Sequence, residues 1–397
     1  MHYWTEGRHG VIRPIVQNAM TRNAFDFLRR FIHFENNKNQ KHGPVSYIFV
    51  ELYTFIILIS TLVLGINYDP LWKIQTFTRK IISCLSEAWT TGDALTVDES
   101  MIKYRGKAVS FTQYNPLKPI KHGIKVFALC CSYSAYLLGF EVYLGKEYTK
   151  DGDSALQIID RLLLGANLTS SAGRKLYVDN WYMTVDLAKH MYEQYGWTVV
   201  GTMTPTEKKV DVIMTSLFLR LSNGGLKEVK RGWFREAVIE IKNRPKRRRY
   251  FIQCTTWKDK KQVMFLHTHL VGRSSGYSVR RHVRGNSKRI ALSAPRIQAD
   301  YAKHFNAVDR NDRDSADYSC SVRTSRWYLR IVFWLVDRVV FSCFIIVCAL
   351  SEDNRGPEQW KRYTNRNGGR RAFQIDLAIL LINYGIEYDW DGETKKA

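Results

Sequence analysis

Strand and helix patterns between residues 95 and 204 set the architecture of the middle of the chain. Three runs of apolar and β-branched residues come first, and helix and strand patterns alternate after them. The predicted strands are residues 95–102, 122–131, 137–145, 175–181 and 197–204, and the predicted helices are residues 155–164 and 184–195. Three strands before any helix predict an α/β protein with a mixed sheet and flanking helices.

This order, βββαβαβ, is the order of the ribonuclease-H-like fold, and helical patterns flank it on both sides. Apolar residues recur at helical spacing over residues 11–35 and 72–89. After the sheet region, one helix is predicted from Ile297 through Asp309, and two more at residues 327–350 and 371–384. Residues 205–295 differ from both parts, because short strand patterns at 234–241, 250–256 and 262–269 are separated by basic stretches.

The chain is strongly basic, with 60 Lys and Arg residues against 37 Asp and Glu residues, a net charge of +23. Residues 205–295 hold 22 of the basic and 6 of the acidic residues, a local net charge of +16. Such a concentration favours a polyanionic partner, with nucleic acid as the first candidate. An anionic membrane surface, a ribosomal role or a secreted cationic protein would also need a basic chain.

The seven cysteines include no C-x-x-C spacing, so neither a disulfide framework nor a structural zinc site is predicted, and reduced intracellular thiols fit best. The first ten residues lack the pattern of a secretory signal.

Residues 47–66 form an almost entirely apolar run of a length that could span a bilayer. Glu51 near its start and the lack of a flanking basic cluster favour a buried helix, and a stray insertion in the gene sequence is a third interpretation.

The apolar stretch 339–350 is shorter and follows Asp337 and Arg338, which favours a core helix over a membrane span.

Acidic residues at particular points of this pattern are candidates for phosphodiester chemistry, in which two divalent cations held by carboxylates stabilise the attacking and leaving oxygens. Asp98 lies within the first predicted strand, and Asp179 ends the fourth, which neighbours the first in a ribonuclease-H-like sheet. Asp309 and Asp312 are i, i+3 neighbours on a helix. Taken singly, each is also typical of a strand-end cap or a solvated helix residue.

Four segments around these acids resemble the piggyBac transposase family. They are LTVDESMIKYRGK at 95–107, YNPLKPIKHGIK at 114–125, VDNWY at 178–182, and AVDRND at 307–312 with its following Tyr318-Ser319 and Arg326-Trp327. They hold the family's three aspartate blocks in order, and the resemblance covers most of the chain.

The resemblance implies a transposase that nicks transposon ends, forms and opens a hairpin, and joins the ends at TTAA targets. Asp98, Asp179 and Asp309 would be catalytic and would hold two Mg²⁺ ions, for which Mn²⁺ could substitute, with Asp312 as an additional ligand. The implied organisation has a helical dimerisation and DNA-binding part built from both chain ends, a catalytic core interrupted by a basic insertion domain, and a homodimer acting on double-stranded DNA in the nucleus. The expected segments are 1–93 (helical), 94–204 (core), 205–295 (insertion), 296–318 (rest of the core) and 319–397 (helical).

The clustered basic residues could serve several roles. The run at residues 244–249 could be a nuclear localisation signal, a phosphate-contacting hairpin or a solvated turn, and phosphate contacts are favoured. The residues expected to contact DNA are Lys103, Arg105, Lys125, Arg231, Lys246, Arg247, Arg248, Arg249, Arg280, Arg281, Arg284 and Arg326.

Two other functions compete with an active transposase. One is a domesticated DNA-binding protein that keeps the fold and the basic surface without cutting DNA. The other is a membrane-tethered protein, which depends on residues 47–66 alone.

Overall fold

The computed structural model describes residues 69–116, 118–145, 154–169, 173–204, 229–243, 248–272, 276–282, 289–365 and 368–387, with the side chains of 242, 243, 248, 249 and 382–387 left aside. The predicted helix at 11–35 and the apolar run 47–66 lie outside these residues. The described chain divides into two compact units, one made of residues 69–81 and 318–387 and the other of residues 82–317.

The larger unit is built on a nine-stranded sheet within the described residues. Its strands are β1 (Ala94–Lys103), β2 (Thr112–Tyr114), β3 (His122–Cys131), β4 (Leu137–Val142), β5 (Lys175–Val178), β6 (Thr198–Thr202), β7 (Phe234–Asn243), β8 (Arg248–Lys258) and β9 (Gln262–His267). The order across the sheet is β2-β3-β1-β5-β6-β9-β8-β7. Strand β4 also pairs with β3, at residues 126–130, whereas β2 pairs with residues 122–124. The sheet is mixed, because β1, β5 and β6 are parallel neighbours while the other pairs are antiparallel.

The helices of this unit lie where the apolar periodicity predicted them, with one exception. They are α1 (Gln75–Ala88), whose first half belongs to the smaller unit, α2 (Ala155–Gly165), α3 (Val185–His190) with a π-helical turn at Met191–Tyr195, α4 (Arg296–His304) and α5 (Ala307–Ala316). A capping box starts α2, since Ser154 Oγ accepts from the Gln157 N–H and the Gln157 side chain accepts from the Ser154 N–H.

The single helix predicted from Ile297 through Asp309 is wrong, because the structure breaks it into α4 and α5 at Phe305 and Asn306. The carbonyl of His304, the last residue of α4, accepts a hydrogen bond from Thr96 Oγ1 at 2.7 Å. A side chain of the sheet thus satisfies a helix-end carbonyl, and α5 begins after Asn306.

The strand order predicted for residues 95–204 is confirmed, with β2 as a short additional strand that no sequence pattern predicted. Three strands from the basic region, β7 to β9, continue the same sheet, because β9 pairs with β6 with Val200 opposite His267. Strands β10 (Gly276–Arg281) and β11 (Ile290–Pro295) form a separate two-stranded ribbon. A distinct insertion domain over residues 205–295 stays a prediction.

The smaller unit is helical where it is described. It contains α6 (Trp327–Glu352), a 3₁₀ segment at Glu358–Thr364 and α7 (Gly369–Glu387), as the patterns at 327–350 and 371–384 predicted. By length and composition, α6 could cross a membrane, and 39% of its most apolar window is buried. That it is a core helix remains a prediction.

Candidate active site

Asp98 occupies the middle of β1, with Ala128 of β3 opposite it and only 7% of its surface exposed. Burial is the largest cause that raises the pKa of this carboxyl from 3.8 to about 7. Charge repulsion by Asp179 and Asp309 raises it further, while the Glu99 N–H, which donates to Asp98 Oδ1 at 2.8 Å, and the charge of Lys118 act against the rise. The charges of both predicted partner carboxylates therefore oppose the ionisation of Asp98.

Asp179 follows the last residue of β5, a strand that runs parallel to β1. The register pairs Val97 with Val178, so the next residues along the two strands are Asp98 and Asp179. Asp179 Oδ1 accepts from the Trp181 N–H at 2.7 Å, and the side-chain oxygen of Asn180 accepts from the Thr204 N–H just beyond β6. These bonds hold the segment after β5 against the edge of the sheet.

Asp309 and Asp312 come from α5, which lies over the polar side of β1. The alternate residues Thr96, Asp98 and Ser100 share this side of the strand. Ser100 Oγ donates to Asp312 Oδ1 at 2.7 Å, whereas Asp309 is exposed in the first turn of the helix. The structure thus gathers all four predicted acids around one strand, and Asp312 is bound to that strand directly.

The donors around Asp98 suit a hard divalent cation, since they are carboxylates and their mutual repulsion would be relieved by positive charge. Within the part of the chain that the structure describes, however, no three His, Cys, Asp or Glu side chains are grouped closely enough to hold one metal ion. The chemistry of the residues fits Mg²⁺, and the two-ion arrangement stays a prediction.

Two tyrosines lie near the end of β5, the buried Tyr182 within the segment VDNWY and the partly buried Tyr301 on α4. The hydroxyl of Tyr301, from α4, donates to the Val178 carbonyl at 3.2 Å. Burial, above all, raises the pKa of Tyr301 and of Tyr182 well above the usual value, and the charges of Asp98 and Asp179 add to the rise. Both phenols therefore remain protonated at neutral pH. Sequence reasoning missed Tyr301, which lies on α4 and stands at no spacing from the acids that would have pointed to it.

Lys125, predicted to contact DNA, lies on the opposite side of the sheet from Asp98 and is held by neighbours. It forms an ion pair with Glu99, and its ammonium group lies 4.7 to 5.4 Å from the ring centres of Phe127, Tyr143 and Trp181. Its role in DNA binding stays a prediction.

Two predicted DNA-binding arginines share one carboxylate. Arg231 Nη2 lies 2.5 Å from Asp259 Oδ1, and Arg281 Nε lies 3.3 Å from Asp259 Oδ2. The guanidinium of Arg281 also lies 5.7 Å from the ring centre of Trp257. Since the exposed Arg280 precedes Arg281 on β10, the two adjacent arginines differ in their surroundings.

The remaining predicted DNA contacts are spread over the chain. Lys103 and Arg105 are exposed at the end of β1. Arg326 belongs to the smaller unit, where it precedes α6 and lowers the pKa of Lys73, an effect second to that of burial. Lys246, Arg247 and Arg284 lie outside the described residues, as do the side chains of Arg248 and Arg249.

A protein-family model and several solved structures match this chain. A family described as Transposase IS4 matches residues 1–342. A solved piggyBac transposase synaptic complex with hairpin DNA is similar in fold, with a TM-score of 0.64 and 19% sequence identity. The match covers 95% of this chain and 66% of that transposase, so the chain spans just under two thirds of its length.

Proposed function

The chain belongs to the Transposase IS4 family, the piggyBac-type transposases, and from that premise we propose that it cleaves and rejoins DNA strands with Asp98, Asp179 and Asp309. The observation that carries the proposal is the convergence of these acids. Asp98 and Asp179 come from neighbouring parallel strands, and Asp309 comes from the helix that packs on the first of them.

The proposed roles follow from the positions of the side chains. Asp98, Asp179 and Asp309 would hold divalent cations, which when bound would stabilise charge on the attacking and leaving oxygens of a phosphodiester. In the ion-free protein, Asp98 gains or loses its proton near neutral pH, because its pKa is about 7. Tyr301 keeps its proton and holds the end of β5, the residue before Asp179.

Double-stranded DNA is the proposed partner. The net charge of +23 and the exposed Lys103, Arg105 and Arg280 support phosphate contacts. By analogy with the piggyBac synaptic complex, which holds hairpin DNA, we extend the proposal to hairpin formation. TTAA-type targets, a homodimer and a nuclear location belong to the proposal through the family resemblance of the sequence alone.

The test is a cleavage assay on a supercoiled plasmid that carries the genomic flanks of this gene, in Mg²⁺ or Mn²⁺. The wild type is compared with Asp98→Asn, Asp179→Asn and Asp309→Asn. Asp186→Asn, an exposed aspartate on α3, is the matched control and is expected to cut like the wild type. Cleavage that survives all three active-site changes would refute the assignment.

A DNA-binding protein that no longer cuts is the second candidate. It is favoured by the absence of a preformed three-carboxylate group among the described residues and by the bond that engages Asp312 with Ser100. Salt-sensitive binding of the plasmid by the wild type without any nicking would support this candidate over the first.

A further inference from the structure

Helix α5, which carries Asp309, is fastened to the sheet through each of the three residues that follow that aspartate. Arg310 donates to the carbonyls of Ser132 and Tyr133, in the turn between β3 and β4. Asn311 Nδ2 donates to the Ala135 carbonyl at 2.9 Å, and Asp312 accepts from Ser100. The helix therefore has fixed points on both β1 and the β3–β4 turn.

These fixed points lie in different directions around the helix axis. Successive residues of an α-helix are rotated by about 100°, so Arg310, Asn311 and Asp312 leave α5 about 100°, 200° and 300° from Asp309. A rotation of α5 that turned Asp309 away from Asp98 would break all three attachments. The direction in which Asp309 points is thus set by its neighbours.

Asn311 is the most enclosed of the three attachments. The residue is 1% exposed, and so is its partner, Ala135. Ala135 has a φ of 62°, in the left-handed region that alanine rarely adopts. A buried carbonyl in such a turn needs a donor, and Asn311 supplies it from the helix.

We propose that Asn311 is a positioning residue, which fixes the rotation of α5 and so directs the Asp309 carboxylate towards Asp98. This role rests on the proposed function, since it matters only if Asp309 and Asp98 bind cations together. A purely structural Asn311 would stabilise the fold and leave cation affinity unchanged.

The experiment measures Mn²⁺ binding to the folded, DNA-free protein by the loss of the electron paramagnetic resonance signal of free Mn²⁺. Asp98→Asn and Asp309→Asn identify the part of the binding that belongs to this site. Asn311→Leu keeps a similar volume without the amide donor, and we expect its affinity for Mn²⁺ at the site to fall about tenfold or more, as for other residues that orient metal ligands.

Gln253→Leu is the matched control. Gln253 is also a 1% exposed amide in the same unit, where its side-chain oxygen accepts from the Gly272 N–H at 2.8 Å. We expect this variant to be destabilised without a change in Mn²⁺ affinity. Asn311→Ser, which is smaller and polar but too short for the same bond, is the second variant if Asn311→Leu does not fold, and an intermediate loss is expected.

The outcomes separate the two proposals. Wild-type affinity in folded Asn311→Leu or Asn311→Ser, with weak binding in Asp309→Asn, would overturn the positioning role alone. A wild type that binds no Mn²⁺ at Asp98 and Asp309 would overturn the proposed function and the positioning role with it.

Discussion

Ser100 and Asp312 are joined by a 2.7 Å hydrogen bond, although 212 positions separate them in the chain. Ser100 is two residues beyond Asp98 on the same side of β1, and Asp312 is three residues beyond Asp309 on α5. One bond therefore links the strand that carries the first acid to the helix that carries the third.

Ser100→Ala is expected to lower the free energy of unfolding by about 1.5–3 kcal/mol, since it removes a largely buried hydrogen bond to a charged group. Ser83→Ala is the control, because it removes an exposed hydroxyl–carboxylate bond, to Glu87 on α1, and should cost less than about 0.5 kcal/mol. Urea unfolding curves give both values. Equal losses in the two variants would mean that the Ser100–Asp312 bond stabilises the fold no more than an exposed hydrogen bond does.

The stability of the protein should depend on the charge of Asp98. Its pKa is about 7 in the folded protein, chiefly because of burial, and 3.8 without that environment. Between these values the folded state holds one more proton than the unfolded state, so the contribution of this group to stability is complete below pH 3.8 and is lost as pH rises through 7. Asp98→Asn removes that loss and should raise the free energy of unfolding at pH 8, by about 4 kcal/mol at most.

Urea unfolding between pH 5 and 8, in a chelator, measures this effect. The gap between Asp98→Asn and the wild type should widen with pH and level off above 7, while Asp186→Asn should follow the wild type throughout. A gap that is constant across this range would contradict the raised pKa.

The left-handed Ala135 gives a prediction about strain. Ala135→Gly relieves about 1–2 kcal/mol of backbone strain but loses roughly 0.8 kcal/mol of methyl burial and about 0.5–1 kcal/mol of chain entropy, so its free energy of unfolding should stay within about 1 kcal/mol of the wild type. Ala128→Gly, at a buried position of β3 without positive φ, should instead lose about 1 kcal/mol or more. Thermal or urea unfolding should show a smaller loss in Ala135→Gly than in Ala128→Gly, and a similar loss in both variants would argue against strain at Ala135.

Arg280 and Arg281 form a matched pair for the DNA-binding surface. Arg280→Ala removes an exposed cation and should reduce the slope of log affinity against log salt by about 1 on a non-specific duplex. Arg281→Ala removes a cation already paired with Asp259, so the slope should stay near the wild-type value. Fluorescence anisotropy at several salt concentrations measures both slopes. The reverse ranking would mean that Arg281 leaves Asp259 to contact DNA.

The sequence alone determined the order of β1, β3, β4, α2, β5, α3 and β6, because buried strands and amphipathic helices impose periods of 2 and 3.6 on nearby residues. It also identified Asp98 as an acid on a central strand. The convergence of Asp98 with Asp179 and Asp309 was predicted from the fold order and the family resemblance; in the structure Asp98 and Asp179 continue neighbouring parallel strands, and Asp309 lies on the helix that is bonded to the first of them.

Only the tertiary structure decided how these acids are held. At the break between α4 and α5, Thr96 of the sheet donates to the last carbonyl of α4, and the residues that follow Asp309 are bonded to Ser100 and to the β3–β4 turn. The shared use of Asp259 by Arg231 and Arg281 is likewise invisible in the sequence. Periodicity indicates which side of a helix or strand is buried. The hydrogen-bond partner of a buried polar group depends on packing between segments that are far apart in the chain, so no local sequence pattern predicts it.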